Sequence, residues 1–443
     1  MAKIRPLSGF PEWLPEQRMV EQRVLDGLRE RFELYGFTPI ETRSVEPLDV
    51  LLSKGETDKE IYVLRRLGEE GTGDAGIGLH YDLTVPFARY AVQHYNDLDF
   101  PFKRYQIQRA WRGERPQEGR YREFLQADID VIDRGALALH FDAEIPWLVH
   151  ETLASLPFPE VTIRINNRKV TEGFMRGLGI EDPVPAMRVL DKADKVPVEA
   201  LREMLAAQGV DARQTDALLE LATIQEPSAE IAQRVRALGV THQLLDEGLE
   251  ELSYVMNELA PLPPGAATAD MGIVRGFDYY TGTVYEGIMR GHESLGAVCS
   301  GGRYDNLAAG AREPLPGVGI SIGVSRILGR LFGQGLLTGD RKTPTVVLVA
   351  WPSPEARPAV TAVTRALRER GWATEAYHEP AKLAKQLKYA DAKGIRYVWL
   401  PFEGGHEVRD MATGEQHPCD IATWSPDSAA LDALAAAAAE RAS

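Results

Sequence analysis

Residues 102–132 read FKRYQIQRAWRGERPQEGRYREFLQADIDVI, and the reading of this stretch decides the fold. It predicts two strands joined by a long, charged loop. The second strand, 124–132, alternates with a period of two. That places Leu125, Ala127, Ile129 and Val131 on one face and Phe124, Gln126, Asp128 and Asp130 on the other. The first set suits a core. The second sets an aromatic ring beside an amide and two carboxylates, an unusual composition for a merely solvated face. Arg112, Arg115, Arg120 and Arg122 surround the turn. A ring can stack on a base, and guanidinium forks grip phosphate. An ordinary amphipathic hairpin with a salt-bridged tip accounts for the same residues.

Upstream, Val20, Val24, Leu28 and Phe32 make a helical stripe that stops at Gly36. Residues 37–47 read as a strand, with Pro39 suited to an edge or a bulge. A glycine-rich acidic stretch at 65–78 follows, and then the short polar signature Asp82-Leu83-Thr84, with Pro86 at a helix start. Downstream, 161–262 reads as a helical insertion, including helices at 198–208, 229–238 and 243–259. Strand-rich, glycine-rich sequence then resumes with GIVRGFDYYTGTVYE at 272–286 and SGGRYDNL at 300–307. Residues 317–331 read as a glycine-laced strand entering a helix. Beyond a linker, 345–401 alternates strand, helix, strand, helix, strand, a small α/β domain with a largely parallel sheet. A hairpin within 406–424 and an alanine-rich closing helix from Ser428 complete the expectation.

The 443 residues suffice for roughly two to four domains. No apolar run approaches the roughly 20 residues that span a bilayer, and the N-terminus has no signal-type apolar segment. Cys299 and Cys419 make neither a disulfide framework nor a metal cluster. These features predict a cytoplasmic protein without a membrane partner. The net charge of −15 argues against indiscriminate coating of nucleic acid but not against a local basic surface for one RNA. There is no P-loop or H-E-x-x-H, and the first strand of the C-terminal domain opens onto Trp351-Pro352-Ser353-Pro354 with no G-x-G-x-x-G. A nucleotide would need another scaffold, such as an antiparallel sheet bearing arginines.

Taken together, these motifs resemble the histidyl-tRNA synthetases, a family of class II aminoacyl-tRNA synthetases. Residues 112–124 resemble the second class II motif, and 317–331, with Arg326, the third. Arg275-Gly276-Phe277-Asp278-Tyr279-Tyr280 and Gly301-Gly302-Arg303-Tyr304-Asp305 resemble the two stretches that mark the histidyl family. Asp82-Leu83-Thr84 with Asp130 is similar to the eukaryotic-type branch. Arg43 stands where the first motif usually has proline.

The resemblance implies an α/β fold of the α+β kind: an antiparallel catalytic sheet, a helical insertion and a C-terminal anticodon-binding α/β domain. The divisions expected are 1–160 and 263–335 for the two parts of the catalytic domain, 161–262 for the insertion, 336–344 for a linker and 345–443 for the C-terminal domain. It implies a homodimer, acting on L-histidine, ATP and tRNA(His), with Mg2+ accompanying ATP and no bound organic cofactor. Arg112, Arg275 and Arg326 are the implied catalytic residues, and Glu114 and Phe124 join them around ATP. Asp82, Leu83, Thr84, Gln126, Asp130, Tyr279 and Tyr280 are implied to hold histidine. Adjacent strand residues face opposite sides, so Tyr279 and Tyr280 cannot line one pocket equally. Gly301 and Gly302 suit a tight turn that approaches the substrate, or a plain hairpin turn. Between Arg365 and Arg396, eight basic side chains stand against four acidic ones, which suits an RNA backbone or a solvated helix face. A synthetase-like regulatory paralogue and another class II ligase are the competing readings.

Overall fold

The computed structural model describes residues 5–52, 60–66, 76–193, 196–274, 280–305, 313–339, 341–402 and 405–427. Arg275 and Tyr279, and the closing helix expected from Ser428, lie outside the described residues. The chain divides into two compact units. One joins Met1–Pro11 to Asp26–Arg330, and the other joins Glu12–Leu25 to Leu331–Ser443.

The first unit is built on a sheet that has nine strands among the described residues. Their order in space is Thr38–Pro39, Phe102–Trp111, Glu123–Ile132, Gly317–Ile322, Cys299–Tyr304, Thr283–Met289, Val161–Asn167, Ala267–Asp270, Gln225–Glu226. Pairing is antiparallel through the centre. The alternation read from the sequence is present: Ala127, Ile129 and Val131 are wholly buried on the core face. The opposite face is not wet, since Gln126, Asp128 and Asp130 are buried as well.

Several expected elements differ in extent. The expected strand at 37–47 is two short ones. Thr38–Pro39 pairs in parallel with Phe102–Trp111, and Val45–Pro47 pairs with Ile77–Leu79. Each ends on a proline, which has no N–H to extend a ladder. The expected insertion at 161–262 starts too early, because Val161–Asn167 belongs to the sheet. Its helices begin with Arg168–Gly177, whose N-cap Asn167 accepts from Lys169 N. This helix meets Gln243–Leu259 at close range. A Cβ on Gly173 would lie 2.2 Å from Leu245 N, and one on Gly248 would lie 2.6 Å from Val170 N, so only glycine permits this crossing.

The second unit follows the expected rhythm. Val347–Val349 pairs in parallel with Thr374–Ala376 and Tyr397–Phe402, and Gly405–Asp410 and Gln416–Cys419 add the antiparallel hairpin. Helices Arg357–Glu369 and Leu383–Lys393 supply the crossovers. Trp399 is fully buried at the centre, with Val347, Val349, Val360 and Leu367 around it.

Candidate active site

The hairpin of Phe102–Trp111 and Glu123–Ile132 closes at its neck, where Arg112 N donates to Arg122 O at 2.9 Å. The loop beyond is held against the helix Val324–Gly333. Arg330 pairs with Glu118 at 2.6 Å, and a Cβ on Gly329 would lie 2.1 Å from the Tyr121 hydroxyl oxygen. Leu125 N donates to Ser325 Oγ at 2.8 Å, which ties the strand to the same helix. One half of a cleft forms between them, bordered by Arg112, Glu114, Arg120, Phe124, Gln126 and Arg326, among others. Arg112 Nε donates to Tyr81 O at 3.0 Å, and its guanidinium lies 5.1 Å from the Phe124 ring centroid. Arg326, in the first turn of its helix, donates to Leu295 O. Cys299 also borders this half. Burial pushes its thiol up to about 12, so it supplies no thiolate nucleophile.

The other half shares Arg112, Gln126, Ser300 and Ser321 with the first, and adds Asp82, Thr84, Asp128, Asp130, Tyr280 and Tyr304, among others. Asp82 and Thr84 sit at the start of the helix Thr84–Gln93, where Val85 N donates to Asp82 Oδ1 at 3.1 Å. Asp130 is held from two sides. Arg104, with 0% of its side chain exposed, reaches Asp130 Oδ2 at 2.6 Å, and the Tyr304 hydroxyl donates to Oδ1 at 2.8 Å. Arg104 also lies over the Phe87 ring, 4.2 Å from its centroid. Opposite Asp130 stands Gly319, whose added Cβ would fall 2.2 Å from Oδ1. Asp128 accepts from the Ser321 hydroxyl, and Gln126 Nε2 donates to the same Ser321 oxygen. Burial pushes Asp128 up to about 7. Arg104 opposes the shift, Asp130 and Asp82 add to it, and the Ser321 hydrogen bond opposes it.

The structure thus brings Arg112, Glu114, Phe124, Gln126 and Arg326 together, and Asp82, Thr84, Gln126, Asp130 and Tyr280 beside them. Two expectations need correction. Leu83 does not border this cleft. It is wholly buried, because three consecutive residues at a helix start cannot all face one side. Gly301 and Gly302 form no turn. They lie within the strand Cys299–Tyr304, where a Cβ on Gly301 would lie 2.0 Å from Gly319 O and one on Gly302 would lie 2.8 Å from Tyr280 Cδ1.

The site reading missed Arg104, Asp128, Tyr304 and Ser321. Arg104 had a signal: Arg104, Gln106 and Gln108 alternate on one strand and form a buried polar row, with Gln106 Nε2 donating to Gln108 Oε1 at 2.6 Å. Arg303, in the same motif as Tyr304, faces away and clamps the buried Asp142 at 2.5 Å.

Among the described residues, no group of three or more His, Cys, Asp or Glu side chains forms a metal site. No described helix is long and apolar enough to cross a membrane.

Comparison with known proteins gives this geometry its family. The family model for histidyl-tRNA synthetase matches residues 9–327. A histidine–tRNA ligase of Thermobifida fusca (strain YX) is 55% identical over 427 residues, covering 95% of this chain and 98% of its own. One from Micrococcus luteus is 48% identical, covering 96% and 97%. The crystal structure of histidyl-tRNA synthetase from Nostoc sp. PCC 7120 superposes with a TM-score of 0.85 at 34% identity, covering all of both chains. With a family model over residues 9–327 and relatives about half identical along nearly the whole length, this chain belongs to the histidyl-tRNA synthetase family.

Proposed function

We propose that this chain is a histidine–tRNA ligase, which activates L-histidine with ATP and transfers it to the 3′ end of tRNA(His). The observation that carries the reading is Arg112, which borders both halves of the cleft. That is where a substrate carboxylate and an α-phosphate must meet. The carboxylate attacks the α-phosphorus and pyrophosphate leaves. The terminal ribose hydroxyl of the tRNA then attacks the adenylate carbonyl and AMP leaves. No protein nucleophile is needed, and catalysis comes from positioning and from positive charge on phosphoryl oxygens.

In this reading Arg112 holds the α-phosphate and Phe124 stacks on adenine. Arg326 takes the terminal phosphate at its helix start, where backbone N–H groups also favour an anion. Asp82, Thr84 and Gln126 receive the ammonium group. Asp130 and Tyr280 read the imidazole, and the grip of Arg104 and Tyr304 on Asp130 supports that role by fixing the carboxylate. The family motif adds Arg275, for the α-phosphate, and Tyr279 to the assignment.

Magnesium belongs with the ATP phosphates, where it would neutralise charge. Mg2+ takes oxygen donors, commonly one or two carboxylates beside phosphates, and Glu114 is the carboxylate bordering the nucleotide half. A cytoplasmic homodimer is part of the proposal. Exposed Leu52, Val63 and Ile77 cluster near the Val45–Pro47 and Ile77–Leu79 pair and suit a covered face. The second unit is the anticodon-binding module, and the helices after Arg168 are a further tRNA contact.

ATP–pyrophosphate exchange with each of the twenty amino acids tests the reading. Exchange is expected with histidine alone. Exchange with none, or with another amino acid instead, contradicts it.

A further inference from the structure

Ser321 lies on the strand Gly317–Ile322, directly opposite Asp128. Its hydroxyl oxygen is 2.5 Å from Asp128 Oδ1 and 2.7 Å from Gln126 Nε2. With Asp128 ionised, hydrogen-bond chemistry fixes the direction of both contacts. An ionised carboxylate only accepts, so the hydroxyl gives its single proton to Asp128. Ser321 then has only lone pairs for Gln126, and the amide nitrogen is the end that can donate. The amide is thereby oriented with Oε1 as its free end. That oxygen is buried and has no hydrogen-bond partner among the described residues, on a residue 9% exposed that borders the cleft. A buried amide oxygen without a donor is costly unless a ligand supplies one.

The charges around Asp128 point to a cationic ligand group. Asp130 and Asp82 add negative charge, while Arg104 is engaged with Asp130 and Arg112 borders the same cleft. A cation entering here favours the ionised form of Asp128, which is the form that accepts from Ser321.

We propose that Asp128 and Ser321 are positioning residues for the amino-acid substrate: their hydrogen bond holds the Gln126 amide with its oxygen turned toward the ammonium group. This inference rests on reading the aspartate-lined half of the cleft as the histidine pocket. Without Ser321 the Gln126 amide is free to turn its nitrogen inward, where it offers a donor to a cation. The discriminating feature is that Ser321 acts through Gln126, so its effect must vanish when Gln126 is gone.

The test is ATP–pyrophosphate exchange with full-length wild type, Ser321→Ala, Ser321→Thr, Gln126→Ala and the Ser321→Ala/Gln126→Ala double variant. Ser321→Ala should raise the KM for histidine about tenfold, the scale of one lost, well-placed hydrogen bond in a buried site. The KM for ATP and kcat should stay within about twofold, and Ser321→Thr, which keeps the hydroxyl, should recover most of the loss. In the Gln126→Ala background, Ser321→Ala should add less than about twofold.

An unchanged histidine KM in Ser321→Ala, an equal rise in both KM values, or the full penalty repeated in Gln126→Ala overturns the relay and leaves the pocket standing. A histidine KM unmoved by Gln126→Ala overturns the pocket reading and the relay with it.

Discussion

The two halves of the cleft are held by opposite means. The half proposed to take histidine consists of buried side chains on strands that bond one another: Asp130 with Arg104 and Tyr304, Asp128 with Ser321, Ser321 with Gln126. In the half proposed to take the nucleotide, Arg112 stands where a strand ends and Arg326 in the first turn of a helix, and each donates to a backbone carbonyl. A buried ion pair spends its charge on fixing geometry. A guanidinium that donates one hydrogen bond to a neutral carbonyl, as Arg112 does, keeps its full charge for an anion. Discriminating one amino-acid side chain needs groups that cannot shift. Gripping a triphosphate through a transition state needs charge more than rigidity.

The comparison is broken most severely at Arg104. Arg104→Met removes the cation from a buried pair and should cost about 3–5 kcal/mol of stability. Adding Asp130→Asn to it should restore part of that loss, because no uncompensated carboxylate remains. Urea unfolding of the two variants checks this, and a double variant less stable than Arg104→Met contradicts it.

Arg112→Ala probes the other half. It should slow single-turnover adenylate formation roughly 10²-fold, the scale of one preorganised donor, with little change in unfolding midpoint.

The smallest effect expected is at Asp128. Its folded value is raised, so the folded chain binds this proton more tightly than the unfolded chain. Folding is therefore favoured as pH falls from about 7 toward the ordinary carboxylate range, and above 7 the buried charge is a cost. Asp128→Asn should raise the melting temperature more at pH 8 than at pH 5, and a larger rise at pH 5 would contradict the assignment.

What was legible in the sequence follows from how local each signal is. Period-two alternation in 124–132 and the helix Gln243–Leu259 needed no knowledge of partners, and both are where the residues placed them. The βα rhythm after the linker was legible for the same reason. The site was legible where a motif carried its own pattern, as with Arg112, Gln126 and Asp130.

Tyr304 was not read as a site residue, because its partner Asp130 lies 174 residues away and nothing near Tyr304 announces the pairing. Ser321 meets Gln126 across 195 residues in the same way. Gly301-Gly302 misled in the other direction. Adjacent glycines signal a turn, but here they serve the close approach of neighbouring strands.

The central claim is that Asp130, fixed by Arg104 and Tyr304, reads the imidazole of the substrate. Asp130→Asn tests it most directly, since it keeps the shape and removes the charged acceptor. Measured by ATP–pyrophosphate exchange, the account predicts a histidine KM raised roughly 100-fold or more, the kind of loss expected when a buried polar reader is mismatched, with the KM for ATP within a few-fold of wild type. A histidine KM equal to that of wild type would mean that the imidazole is read elsewhere, and would contradict the account.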